Sequence, residues 1–315
     1  MHAAIQALRK FHRELGVAIT ITLLCAALTL AHSPFFTAEN LSDLLLSNLP
    51  VLLVSLGMML IILTGRIDIS VGSAFAVSSV IAGLSAKAGL PAPAAALAAC
   101  LSGALCGALN GSLVAFLRVP SIVVTLATMI ALRDGLRWLT QGAWIGDLPP
   151  SFQWFHLSQS TYGTVVVALS ALAVAAFAVA LRYFRFGRAV YATGSSESSS
   201  RIAGIRTDRV VFSVFTLTGA LTGLAAALNA VRFHQVPSNS GLGLEMKVIA
   251  AVVVGGASIT GGSGTVAGTV LGVVLLGSIG AGLTFLGVSA YWENAIQGAI
   301  ILVAVALNLS GRARE

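Results

Sequence analysis

Two stretches of this chain most invite a chemical reading: the glycine run Gly255-Gly256-Ala257-Ser258-Ile259-Thr260-Gly261-Gly262-Ser263-Gly264, and the six arginines between Arg182 and Arg209. A glycine-rich loop cradles phosphates when it ends in a lysine followed by serine or threonine, which reach the terminal phosphates and the metal. Here Gly264 leads into Thr265 with no lysine, so nucleotide binding by that device is excluded. The five histidines, His2, His12, His32, His156 and His234, stand near the ends of apolar runs or between them and are never paired at metal-binding spacing. Cys25, Cys100 and Cys106 fall inside apolar runs, where a thiol behaves as a small hydrophobe, and they form no disulfide or zinc pattern. With no cluster of carboxylate, histidine and thiol for a reaction, the chain reads as a non-enzyme that binds no cofactor of its own.

Polar side chains inside the apolar runs are the next candidates. An ionisable group at the centre of a membrane helix costs about 2.5 to 3.5 kcal/mol on insertion scales, so each one asks for a reason. Asp68 sits beside Arg66 at an inner turn, Glu245 and Lys247 open a run at its outer end, and Glu293 starts the last run. The last three are expected to reach the membrane surface by snorkelling. That leaves no buried proton relay, which counts against a carrier driven by an ion gradient. Ser55, Asn110, Thr125, Thr128, Asn229 and Asn308 are uncharged and better represented. They suit a neutral, hydroxyl-rich cargo as pathway-lining groups, with helix-to-helix hydrogen bonding as the alternative for any one of them.

The elements that position these residues follow from composition. Hydrophobic residues make up 57% of the 315, charged residues 9%, and the mean hydropathy is +0.94, far from the roughly 25% charge of a soluble domain. The chain is therefore an all-α, polytopic integral membrane protein. Apolar runs at 16–31, 49–64, 69–86, 92–117, 119–140, 162–181, 210–231, 246–262, 264–286 and 291–309 give about ten spans. The first, preceded by Arg9, Lys10 and Arg13, could pass for a secretory signal but reads better as an uncleaved span, given how many follow. Ten spans place both termini on one side. Thirteen of the eighteen Lys and Arg then share that side, so both termini are cytoplasmic. The net charge of +7 thus reports orientation, and nucleic acid is excluded because no aromatics interleave the basic residues.

Two runs are weak: 246–262 is short and ends in the glycine run, and 119–140 carries Arg133, Asp134 and Arg137, so broken or partly inserted helices are expected there. Gly103, Gly107 and Gly111 form one four-residue ladder and Gly264, Gly268 and Gly272 another, the spacing that lets helix backbones approach closely. The outer segment from Gln141 to Thr161 carries Trp144 and Trp154, with Tyr162 just after it, suited to an interfacial belt or to a docking surface.

These residues resemble a known family, the membrane permeases of bacterial ABC importers for monosaccharides of the ribose, xylose and rhamnose type. The likeness covers nearly the whole chain. It rests on Leu63-Thr64-Gly65-Arg66-Ile67-Asp68-Ile69-Ser70-Val71-Gly72-Ser73, on Asn110-Gly111, and on Pro120-Ser121-Ile122-Val123-Val124-Thr125-Leu126-Ala127-Thr128. It rests further on Gly241-Leu242-Gly243-Leu244-Glu245, and on Phe186-Gly187-Arg188-Ala189-Val190-Tyr191-Ala192-Thr193-Gly194 with Arg201-Ile202-Ala203-Gly204-Ile205. Gly142-Ala143-Trp144-Ile145 and Gly243-Leu244-Glu245-Met246-Lys247 look closest to permeases for rhamnose or the autoinducer-2 signal.

The resemblance implies one permease domain over 1–315 in the inner membrane, with a cytoplasmic coupling loop at 182–209. It implies an ABC ATPase that docks on Gly187, Arg188, Gly194, Arg201, Gly204, Ile205 and Arg206. A periplasmic sugar-binding protein delivers cargo, and a second permease copy or a paralogous permease completes the path. One departure is the serine run Ser195-Ser196-Glu197-Ser198-Ser199-Ser200, where relatives carry an alanine-containing helix. Serine favours a cap over a helix interior, so the coupling helix is expected to start near Ser199 or Ser200. The alternatives are a ten-helix secondary carrier, which would need an internal repeat that is not visible, and an ABC permease for branched-chain amino acids, which would need partners for a zwitterion.

Overall fold

Helices account for nearly all regular structure in the computed structural model, which describes residues 16–26, 29, 34–285, 287, 288, 292, 295, 296, 298, 299 and 302. They are α1 (Gly16–Ala26), α2 (Ala38–Leu63), α3 (Val71–Lys87), α4 (Ala92–Ala115), α5 (Ser121–Thr140) and α6 (Gln159–Tyr183). Then follow α7 (Arg185–Ser195), α8 (Glu197–Ile202), α9 (Thr207–Ala230), α10 (Leu244–Val254) and α11 (Val266–Phe285). Among the described residues α2, α4, α6, α9 and α11 are long and apolar enough to cross a membrane. The protein is an all-α, multi-pass membrane protein. Most of the run 291–309, with Glu293 and Asn308, lies outside the described residues, as do Arg9, Lys10, Arg13, His2, His12, His32, Arg312 and Arg314.

Helix α2 forms the centre, and from Leu53 to Leu63 every residue is buried. A helix apolar all round belongs inside. It begins eleven residues before the expected 49, capped by Thr37, whose side chain accepts from the Asn40 N–H. The helix continues through Pro50, which cannot donate to the carbonyl four residues back. That carbonyl, Leu46 O, accepts instead from Arg232 Nη1 at 3.0 Å. The proline therefore leaves no orphaned acceptor.

The glycine ladders pack helices. A Cβ on Gly103 would overlap the Gly219 carbonyl, and one on Gly107 the Phe215 carbonyl, so α4 and α9 touch through their backbones. Gly268 and Gly272 meet Gly255 and Ala251 in the same way and join α11 to α10, whereas Gly264, expected as the first rung, lies in the turn before α11 and faces Ala257. The opposite face of α4 carries exposed Leu97, Leu101, Leu105 and Leu109, a stripe suited to lipid.

Both weak runs resolve into definite shapes. Helix α5 is continuous from Ser121 to Thr140 with only Val124, Thr125 and Leu136 buried. Helix α10 has 11 residues, ends at Val254 instead of 262, and hands over to a glycine turn in which Gly256, Gly261 and Gly262 have positive φ. Helix α3 also starts part-way through the protein. Ser73 Oγ donates to Met129 O, and Met129 stands eight residues into α5, about 12 Å from its N-terminal end.

Ile145 and Val236 exchange two backbone hydrogen bonds of 2.9 Å, tying the α5–α6 segment to the segment after α9. Trp154 turns inward to pack edge-on against Tyr162, with ring centroids 5.1 Å apart, while Trp144 stays exposed.

Candidate functional site

The polar stretch 182–209 folds into two short helices and a turn. Helix α7 buries Gly187, Val190 and Thr193 and exposes its arginines. Ser196 is extended and caps α8 by accepting from the Ser199 N–H, so the second helix starts at Glu197, ahead of the expected Ser199 or Ser200. The physical cause is that Ser196 supplies the cap oxygen while Glu197 places negative charge in the first turn.

Three segments distant in sequence meet at the end of α7. A Cβ on Gly194 would overlap the Leu63 carbonyl at the end of α2, so only glycine fits. The same Leu63 carbonyl accepts from the Gly262 N–H at 3.0 Å. Tyr191 Oη donates to Gly264 O at 2.7 Å. The glycine run is thus a structural seat for α7, made of backbone groups that need close approach.

Charges lock this junction. Glu197 accepts from Arg66 Nη2 at 3.0 Å and from Arg201 Nη2 at 2.9 Å, and Arg201 also pairs with Asp208. Burial alone would raise the Glu197 carboxyl, but the Arg201 hydrogen bond and the Arg66 charge outweigh it and hold the group below its ordinary value. Beside the lock lies a cleft of 610 Å³ lined by Thr64, Arg66, Val114, Gly194, Glu197 and Asp208. Past it, Ile202 ends α8 with 89% of its surface exposed, and Gly204 turns the chain with φ +82°. Ile205 and Arg206 border a separate groove with Arg188, whose Nη1 donates to Tyr183 O at 3.0 Å.

The polar residues read as pathway-lining fall in three places. Thr128 Oγ1 donates to Asn110 Oδ1 at 2.7 Å, Asn110 Nδ2 donates to Ser70 Oγ at 2.8 Å, and Ser70 donates to Asp68. This chain of bonds ties α5 and α4 to the inner turn. Ser55 and Thr125 are fully buried, and their hydroxyls find no partner among the described residues. Asn229 lines an open cavity of 300 Å³ with Ser47, Phe75, Gly241, Leu244 and Lys247.

Glu245 departs from the snorkelling expectation. It is 7% exposed, lies against Gly72 in the first turn of α3, and faces Arg133 of α5 across 3.8 Å. Because α3 starts part-way through the protein, its positive N-terminal end holds the carboxylate inside instead of letting it reach the surface. Sequence reading missed this pair, as it missed Arg66 with Glu197. The only signal was one opposite charge on each of two distant segments.

The family profile described as "Branched-chain amino acid transport system / permease component" matches residues 40–305. The "Autoinducer 2 import system permease protein LsrC" of Photorhabdus luminescens is 34% identical over 309 residues, covering 96% of this chain and 91% of that one. The proteins of the same name from Yersinia pseudotuberculosis serotype O:1b and Salmonella typhi are each 35% identical, over 92% of this chain and 83% and 84% of their own length. No solved structure matches. A multi-pass helical body and these matches along nearly the whole chain have one meaning: the chain belongs to the permease family of ABC importers.

Proposed function

We propose that this chain forms the translocation path of an ATP-driven importer for a monosaccharide or similar small polyol. The observation that carries the reading is the 34% identity to an autoinducer 2 import permease over 96% of the chain. The chain lies in the inner membrane with both termini cytoplasmic. It works beside a second copy or a paralogous permease and receives cargo from a periplasmic binding protein. It is not itself an enzyme and holds no cofactor, so ATP is hydrolysed on a partner ATPase.

The α7–α8 pair supports that division of labour. Ile202 offers an apolar knob for the ATPase, and the lock of Arg66 with Glu197 joins α8 to the turn that leads into α3. A push on α8 therefore reaches the part of the protein where α3 begins. The Asn229 cavity, with amide, hydroxyl and aromatic groups beside Lys247, supports a small polar cargo such as a polyol.

A second reading, import of a branched-chain amino acid, is favoured by the wording of the matching family. Uptake in proteoliposomes holding this chain, its candidate ATPase and its candidate binding protein separates the two. Radiolabelled rhamnose, ribose, autoinducer 2 and leucine are the probes, with and without ATP and with ion gradients collapsed. Uptake of a polyol that needs ATP and the binding protein and survives collapse is the expected result. Leucine uptake favours the second reading, and uptake by the chain alone that is lost on collapse makes it a secondary carrier.

A further inference from the structure

The groove between α7 and the start of α9 differs in kind from the cleft beside it. It encloses 540 Å³, and Arg185, Arg188, Arg206 and Arg209 stand exposed around it. No acidic side chain lines it, whereas the neighbouring cleft sets Arg66 against Glu197 and Asp208. Four guanidinium groups gathered without an anion repel one another, so this arrangement favours a bound negative charge. The floor is apolar, formed by Phe186, Ala192 and Val210, and it extends along α9 to Ser213. Ser213 lies six residues past Thr207, about 9 Å along the helix axis. The groove therefore runs from a ring of cations toward the apolar body of a membrane-spanning helix.

We propose that this groove holds one anionic phospholipid of the cytoplasmic leaflet. Its phosphate sits among Arg185, Arg188, Arg206 and Arg209, and an acyl chain lies on the Phe186, Ala192 and Val210 floor. Guanidinium forks match phosphate oxygens in pairs, and basic pockets between membrane helices on the cytoplasmic side suit such head groups. An acidic patch on a soluble partner would satisfy the arginines but could not fill a floor that continues along α9, whereas an acyl chain fills it. The lipid braces α7 against α9, the two helices that flank α8, and so sets the resting position of the element that carries Ile202. The proposal goes beyond the transport reading, needs no cargo, and assigns to the lipid two arginines, Arg188 and Arg206, that the family resemblance would give to ATPase docking.

The test uses the full-length permease alone, purified from nanodiscs of phosphatidylcholine with or without phosphatidylglycerol, and native mass spectrometry of the retained lipid. Wild-type protein is expected to retain phosphatidylglycerol in preference to phosphatidylcholine. Arg206→Gln and Arg209→Gln should each cut that occupancy about fivefold. Arg206→Lys should fall between, and Arg118→Gln, outside the groove, should behave as wild type. The wild-type comparison of the two lipids needs no variant, so a folding defect in a mutant does not protect the proposal. Equal retention of both lipids, or unchanged retention in the two glutamine variants, overturns it. Displacement of phosphatidylglycerol by equimolar inorganic phosphate also overturns it, since that would mean a bare anion site. Variants that keep the lipid but lose the ATPase would assign the groove to protein docking.

Discussion

Arg66 and Glu197 stand 3.0 Å apart, joining the inner turn after α2 to the first turn of α8. Arg201 grips the same carboxylate from the far end of α8 and reaches Asp208 at the start of α9. Three segments are thus tied together, and the turn after α2 leads directly into α3.

If this lock transmits the stroke, Glu197→Gln and Arg66→Ala should leave the ATPase bound but lower coupled uptake about two- to thirtyfold, the range of a broken coupling contact. Co-purification and proteoliposome uptake read the two quantities separately.

The same lock carries a pH signature. The Glu197 carboxyl is held below its ordinary value of 4.5, so its contribution is complete above the ordinary carboxylate range and is lost as pH falls through the depressed value. Limited proteolysis of the loop should accelerate only at acid pH in the wild type, and Glu197→Gln should abolish that step.

Gly194→Ala should cost about 1 to 3 kcal/mol or more, because the added methyl must push aside both the Leu63 carbonyl and the Gly262 backbone nitrogen that bonds to it. Thermal unfolding in detergent measures the loss, and Gly204→Asn, at an open left-handed position, should be far milder.

Removing one member of the Arg133–Glu245 pair leaves a buried charge uncompensated, so Arg133→Met or Glu245→Met alone should destabilise by about 3 kcal/mol. The double variant should recover most of that loss in the same assay.

Arg232→Met should orphan the Leu46 carbonyl that Pro50 leaves free, at about 1 to 3 kcal/mol. In a Pro50→Ala background the carbonyl regains a helical donor, so the same arginine change should cost markedly less.

Composition alone determined the membrane class, since a chain with 9% charged residues has too little polar surface for water. Local spacing determined the glycine ladders, because residues four apart share one helix face whatever lies opposite. That 182–209 stands apart from the apolar helices was legible too, because it is the one long polar segment and polarity is a local property.

Tertiary structure decided which charges pair and at what depth. Glu245 looked free to reach the surface because sequence places it at the end of an apolar run. It is buried because α3 begins part-way through the protein and brings Gly72 and Arg133 to it. Asn110 and Thr128 likewise looked like single polar groups facing a path, and packing of α4 on α5 joined them to Ser70 and Asp68. Helix α2 begins eleven residues before the apolar run that predicted it and carries Pro50 inside, and only the arrival of Arg232 from after α9 shows how the freed carbonyl is satisfied. Hydropathy is summed along the chain, so sequence could fix it. Ion pairs and hydrogen bonds form across the chain, and their partners exist only once helices distant in sequence have packed.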